Sequence, residues 1–328
     1  MIFETKRLIL RPWEENDAEE LYRYASDPRI GLSAGFPPHT SVEDSRRVIR
    51  DILSKPETYA VVLRETGLPI GSVGIAPTMS PIAETGEPEL GYWIGVPYWG
   101  RGLIPEAVRR LQRRCFEELG SERVWCGYYD GNEKSKRVQE KCGFTWKYTE
   151  KDHVCEQLGR VCDEHFTCIT RGEWEKADAL ECFWQRFLAA SGRKDETKYT
   201  EAFYFDKDER AANRLLALVL SGKKRATSSA LPAYELDGEE IPREGELSVV
   251  TDFAGNPRCV IETTQTQIIP FSRMTFELCS REGEDETLVS WREKHRRFFI
   301  ADGRECGYEF TEDMPVVFEE FKTIYQED

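Results

Sequence analysis

The stretch Glu89-Leu90-Gly91-Tyr92-Trp93-Ile94-Gly95-Val96-Pro97-Tyr98-Trp99-Gly100-Arg101-Gly102-Leu103 decides the fold of the first half of this chain. Glu89 to Val96 reads as a strand. Behind Gly102 comes a helix with Ile104, Ala107, Val108, Leu111, Cys115 and Leu119 on one face, stopped by Gly120. Glycines at a strand-to-helix junction let the main chain approach a ligand closely. The free N–H groups and partial positive charge of the helix start suit a pyrophosphate. Pro105 costs nothing there, because first-turn N–H groups have no helical partner. Taken alone, the pattern also fits a tight turn with no ligand.

Working outward toward the N-terminus, Tyr59 to Arg64 and Ile70 to Ala76 are apolar or alternating runs split by Thr66-Gly67, which predicts a hairpin. Asn16 to Ala25 has helical spacing and ends at Asp27-Pro28. Thr40 with Glu43 forms a capping-box pattern before a second helix carrying Val48, Ile49, Ile52 and Leu53. Leu8, Leu10 and Pro12 open a strand. Toward the C-terminus, Val124 to Cys126 is a short strand, and Glu133 to Lys141 a helix capped by Asn132 and stopped at Gly143. Phe144 to Tyr148 and Glu164 to Thr170 are strands joined by a polar hairpin. A charged helix then carries Phe183, Trp184, Phe187 and Leu188, followed by the polar stretch Ser191 to Glu196. A chain of 328 residues exceeds what one core usually serves. Two domains are therefore expected, 1–174 and 175–328, with the seam near Trp174 to Asp178 and a linker helix leading the second.

The phrase Glu89 to Ile94, then Tyr98-Trp99-Gly100-Arg101-Gly102, then Asn132 to Ser135, then Lys141-Cys142-Gly143-Phe144, closely resembles the GNAT superfamily. Within it, the likeness is to the branch that includes the ribosomal-protein N-terminal acetyltransferases, over about residues 1 to 174. The resemblance implies an α/β fold, a mixed central sheet flanked by helices and splayed between two strands. It implies acetyl-CoA as cofactor, its pantetheine arm in the splay and its pyrophosphate on Trp99 to Leu103. Ile94, Val96, Trp99, Gly100, Arg101, Gly102, Leu103, Asn132 and Ser135 would then contact the cofactor. Direct transfer to an amine needs a base, donors for the developing oxyanion and an acid for the leaving thiolate. The family places a carboxylate base near the central strand, which maps to Glu89. Ser135 of the Asn-x-x-Ser pattern is the implied proton donor, since the tyrosine many members carry further along that helix is Gln139 here. Pro97 departs from the Gln or Arg common at the loop start and removes one backbone donor, for which Arg101 would compensate. The plain alternatives are a solvated strand-end glutamate, a simple helix cap at Asn132 and an exposed loop arginine. The first helices and the loop Gly31 to Pro38 would wall the acceptor site. The acceptor, a peptide N-terminus or a small-molecule amine, is not named by these residues.

In the second half, a helix with Ala212, Leu215, Leu216 and Val219 on one face ends at Gly222. Leu247 to Thr251 and Cys259 to Ile268 flank the turn Ala254 to Pro257 as a hairpin, Thr287 to Phe299 is a helix, and Val316 to Tyr325 is a closing strand. Gly222 to Thr227, Val260 to Thr266, Trp291-Arg292-Glu293 and Glu312 to Pro315 resemble the ASCH domains, a PUA-like family of small α+β barrels associated with RNA. The likeness covers about residues 178 to 326. It implies RNA or nucleoside binding. One branch hydrolyses N4-acetylcytidine with a Lys, a Thr three residues on and a downstream Glu, which map to Lys224, Thr227 and Glu282. An arginine of that branch is replaced by Ser229. The alternative reading of the whole chain is therefore a nucleoside-binding or amidohydrolase protein to which the first domain is accessory.

The formal net charge of −15 argues against bulk binding of long nucleic acid, which needs many cations. The basic clusters Lys223-Lys224-Arg225 and Arg292 to Arg297 are local exceptions. Met1 to Leu10 lacks the apolar core of a signal peptide, and the longest aliphatic run, Leu215 to Leu220, is too short for a membrane. Ten cysteines scattered without a CxxC read as reduced thiols. These features predict a cytoplasmic protein. No metal is expected: His153, Cys155, Cys162 and His165 have the right donors for zinc but match no common module, and Cys162 and His165 fall on opposite strand faces.

Overall fold

The computed structural model describes residues 1–84, 86–155 and 159–327, and its chain divides into the units Met1–Ala177 and Asp178–Asp328. The first unit is a mixed sheet of eight strands in the order β1-β2-β3-β4-β5-β6-β8-β7. These strands are β1 (Phe3–Glu4), β2 (Leu8–Arg11), β3 (Thr58–Leu63), β4 (Leu68–Pro77), β5 (Pro88–Ile94), β6 (Arg123–Tyr129), β7 (Thr145–Cys155) and β8 (Arg160–Thr170). Helices α1 (Ala18–Ala25), α2 (Pro28–Ala34) and α3 (Val42–Val48) lie between β2 and β3, α4 (Leu103–Arg113) between β5 and β6, and α5 (Glu133–Lys141) between β6 and β7.

In this sheet every strand pair among the described residues is antiparallel except β5 with β6, which meet in one ladder pair, Glu89 with Trp125. The strands diverge beyond that pair, so one edge of β5 has no ladder partner. Period-2 alternation sends Leu90 and Ile94 into the core under α4, where Ala107, Val108 and Leu111 are fully buried. Each buried branched side chain there contributes roughly 1.5–3 kcal/mol. Trp93 goes to the opposite face, against the cluster of Trp13, Leu21 and Phe36.

The sequence expectations differ from the structure at several ends. Pro28 does not merely stop a helix. It starts α2, with Asp27 as N-cap accepting from Arg29 N–H, since proline costs little at a first helical position. The cap of α3 is Ser41, one residue after the expected Thr40. Strands β7 and β8 extend further than expected, while 156–158, within the expected polar hairpin, lie outside the described residues.

Helix α6 (Arg171–Ser191) runs through the residues where the seam was expected, so no polar linker separates Ala177 from Asp178. The second unit adds β9 (Glu201–Phe203), α7 (Glu209–Leu220), β10 (Ala226–Ala230), α8 (Leu231–Asp237), β11 (Leu247–Thr251), β12 (Pro257–Pro270), α9 (Phe276–Cys279), α10 (Leu288–Cys306) and β13 (Pro315–Gln326). Its sheet, β10-β13-β12-β11-β9, curls into a half-barrel. Register shifts at Val260/Ile261 and Thr263/Gln265 in the long β12–β13 ladder supply the bends that curling needs. Trp291, Phe271, Phe299 and Phe318 form one core cluster, and Phe183, Trp184 and Phe187 another with Leu247, Val249 and Val260. Helix α10 continues beyond the expected end at Phe299 to Cys306. All ten cysteines are free, and among the described residues no helix is long and apolar enough to cross a membrane.

Candidate active site

Gly100 and Gly102 hold φ angles of 74° and 70°, the left-handed region where a side chain is strained. A Cβ on Gly100 would meet nothing within 4 Å, so this loop is open on the outside. On the inside it is pinned. Arg7 donates to the carbonyls of Arg101 and Gly102 at 2.9 and 3.0 Å and is itself held by Glu106 at 2.7 Å. With those carbonyls engaged and Gly102 as N-cap of α4, the first amides of the helix have no side-chain cap. The Trp99 indole donates to Ile94 O at 3.0 Å, and the Lys134 ammonium sits 3.5 Å from its ring centre. The loop therefore offers amides, a cation and exposed Arg101 together, a fit for a diphosphate.

Asn132 accepts from Ser135 N–H as the cap of α5 and donates to Ser33 O across the splay, each at 3.2 Å. The Ser135 hydroxyl lies 2.9 Å from the Tyr92 hydroxyl and accepts from the Gln139 amide at 3.2 Å. Gln139 continues to Gly127 O at 2.9 Å and accepts from Thr167 at 2.7 Å. Burial pushes the Tyr92 phenol well above its ordinary range, so it stays protonated and can donate. Sequence reading missed Tyr92 as a partner because it reaches Ser135 only through the fold.

Glu89 is held from one side. Its Oε2 accepts from the Thr78 hydroxyl at 2.6 Å and from Met79 N–H at 3.2 Å. Burial raises its pKa, against those two hydrogen bonds, which is the direction a general base requires. A second carboxylate, Glu164 on β8, was not expected. A Cβ on Gly127 would lie 3.3 Å from Glu89 Oε1 and 3.1 Å from Glu164 Oε1. Burial raises Glu164 as well, and the Glu89 charge adds to it. Glu164 is brought in by the β6–β8 register, which sets it opposite Tyr129.

The four residues weighed for zinc do not share a centre. His165 contacts Thr149 at 2.9 Å and Asp130 at 3.3 Å, and Cys155 faces the Tyr129 hydroxyl. His153 bridges Glu150 at 2.9 Å and Glu164 at 3.4 Å, and these three offer ligand atoms within 4.8 Å of one another.

In the second unit Lys224 and Glu282 are nearly inaccessible and lie 3.9 Å apart. Lys224 is bound more closely to Glu284, at 2.6 Å. Glu282 accepts from Ser228 at 2.7 Å and Trp291 at 2.9 Å and lies 3.2 Å from His295. Burial works to raise the Glu282 pKa, but His295, Lys224 and Ser228 outweigh it and the net shift is downward. The hydroxyl in this network is that of Ser228, one residue beyond Thr227 on alternating β10.

A family model for the GNAT acetyltransferase domain matches residues 7–145, and one for the ASCH domain matches residues 201–325. The chain joins a GNAT acetyltransferase domain to an ASCH domain. Over 175 residues it is 27% identical to an uncharacterized N-acetyltransferase p20 of Bacillus licheniformis, covering 52% of this chain and 96% of that protein. The ASCH domain from Lactobacillus crispatus shares 38% identity over 45% of this chain and 96% of that one, with a TM-score of 0.43. A GCN5-related N-acetyltransferase from Brucella melitensis shares 21% identity over 60% of this chain and 90% of that one, with a TM-score of 0.50, a likeness of fold alone. The GNAT unit is an acyltransferase, and GNAT enzymes in general take acetyl-CoA and an amine.

Proposed function

We propose that the GNAT unit moves the acetyl group of acetyl-CoA to a primary amine, a peptide N-terminus or a small molecule, held over Gly127. The observation that carries this reading is the splay: β5 and β6 part after Glu89 and Trp125, with the glycine loop at one end and the Glu89–Gly127 space at the other. Acetyl-CoA supplies an activated acyl thioester. The main-chain amides after Gly100 and the Arg101 side chain hold its diphosphate, while Ile94, Val96, Trp99, Leu103 and Asn132 line the path of its arm. Glu89 Oε1, the oxygen not tied to Thr78 or Met79, takes a proton from the incoming amine. As the C–N bond forms and the C–S bond breaks, the Ser135 hydroxyl, oriented by Tyr92 2.9 Å away, gives a proton to the departing thiolate; on product release solvent re-protonates Ser135 and takes the proton from Glu89, so both groups are restored.

The test is release of coenzyme A thiol from the full chain with acetyl-CoA and an amine panel, with acetylated product identified by mass. Glu89→Gln and Ser135→Ala should each lower kcat by roughly 10²–10⁴-fold. Unchanged turnover in both variants would remove these residues from the mechanism.

For the ASCH unit the reading best supported is binding of RNA or a nucleoside rather than amide hydrolysis. A cleft of about 340 Å³ is lined by Arg225, Arg281, Lys322, Thr264, Glu320 and Phe321; Arg281 is bound to Glu320 and Lys322 to Glu262, and Arg225, which has no carboxylate partner among the described residues, is the cation there for a phosphate. The Lys224 ammonium is engaged by Glu284, which leaves Thr227 without the activated base that hydrolysis needs. Loss of N4-acetylcytidine absorbance on incubation with the full chain, abolished in Lys224→Ala and Thr227→Ala, would instead establish hydrolysis.

A further inference from the structure

Two carboxylates aim their free oxygens at one small space. Glu89 and Glu164 each have one oxygen tied to the protein, the first by Thr78 and Met79, the second beside His153. Their remaining oxygens flank the position a Gly127 side chain would occupy, at 3.3 and 3.1 Å. Any other residue at position 127 would fill that space. The line of negative charge continues outward, from half-buried Glu89 through Glu164, 14% exposed, to Glu150, 39% exposed, joined by the His153 ring. Among the described residues no Lys or Arg pairs with any of the three. The imidazole cancels at most one of the three charges. Burial raises both inner carboxyls, and at Glu164 the nearby His153 works against that rise while the Glu89 and Glu150 charges add to it.

We propose that the acceptor is dicationic: a primary amine with a second positive charge a few bonds away. The reacting nitrogen lies over Gly127 beside Glu89, and the second cation rests against Glu164 on the side of Glu150. Glu164 is then a specificity residue, and this assignment rests on the acetyltransfer reading above. The same chemistry comes from an alkyl diamine or from a peptide N-terminus followed by lysine or arginine.

The experiment measures kcat/KM on the full chain at saturating acetyl-CoA. One arm compares 1,4-diaminobutane with butylamine, and the other compares tripeptides with arginine or alanine at position two. In at least one arm the dication should be preferred roughly tenfold or more, the arm identifying the source. The preference should shrink as ionic strength rises, a readout that needs no variant. It should fall to within about threefold in Glu164→Gln and recover partly in Glu164→Asp. Acetylation of monocations as efficiently as dications in both arms overturns the proposal while leaving acetyl transfer intact. No acetylation of any amine overturns both. Tight zinc uptake by the wild-type chain that is lost in Glu164→Gln would assign Glu150, His153 and Glu164 to a metal and overturn the proposal too.

Discussion

Gly100→Asp separates the geometry of the loop from its electrostatics. A side chain at φ 74° costs about 1 kcal/mol in the left-handed region, and a Cβ there meets nothing within 4 Å, so folding survives. The added carboxylate would stand roughly 5 Å from a diphosphate on the α4 amides. At an effective dielectric between that of water and a protein surface, each phosphate charge costs about 1.5 kcal/mol, about 3 kcal/mol in all. Acetyl-CoA affinity should fall on the order of a hundredfold. Gly100→Asn, nearly isosteric and tolerant of this φ, should lose only a few-fold, and raising salt should restore part of the loss in the Asp variant alone. Isothermal titration with acetyl-CoA reads both, with thermal melts as the folding control. Equal affinities for the Asp and Asn variants would refute the placement of the diphosphate at this loop.

Glu89 links activity to stability. With its pKa raised, kcat/KM should climb with pH through a value above the ordinary carboxylate range as the base ionises, and Glu89→Gln should lose that limb. Because burial penalises the ionised form, Glu89→Gln should raise the melting temperature of the GNAT unit by roughly 2–4 °C at neutral pH. The advantage should vanish as pH falls below the ordinary carboxylate value, which differential scanning calorimetry can follow. Glu282 carries the opposite sign. Its lowered pKa contributes stability above the ordinary carboxylate value that is lost as pH falls through the folded one. Glu282→Gln, which removes the buried carboxylate that accepts from Ser228 and Trp291 while Lys224 keeps Glu284, should cost the ASCH unit about 2 kcal/mol near neutrality, with the gap closing in acid denaturation series. Gly283→Ala should destabilise the same unit by more than about 2 kcal/mol in urea melts, since its Cβ would lie 2.6 Å from Lys223 O at a φ of 70°.

What the sequence makes legible is local. The strand, the glycine pair and the helix behind them follow from spacing over a few residues, and the Asn132 cap lies three residues from the N–H it accepts. Pro28 was misleading because proline both ends one helix and begins the next, and only the Asp27 cap decides which. Tyr92 meets Ser135 across 43 positions, and Glu164 meets Glu89 only because of β6–β8 register and the missing side chain of Gly127. In the ASCH unit the spacing of Lys224, Thr227 and Glu282 is visible in the chain. The Ser228–Glu282 bond spans 54 positions and appears only when β10 is set against the turn after α9. A β strand presents Thr227 and Ser228 to opposite faces, and sequence alone does not say which face is inward.

The most direct test is a crystal structure of the full chain with coenzyme A. The account predicts its diphosphate on the amides after Gly100, its arm between β5 and β6, and its sulfur within about 3.5 Å of the Ser135 hydroxyl. A cofactor bound outside the splay, or with its sulfur remote from both Ser135 and Gly127, would contradict it.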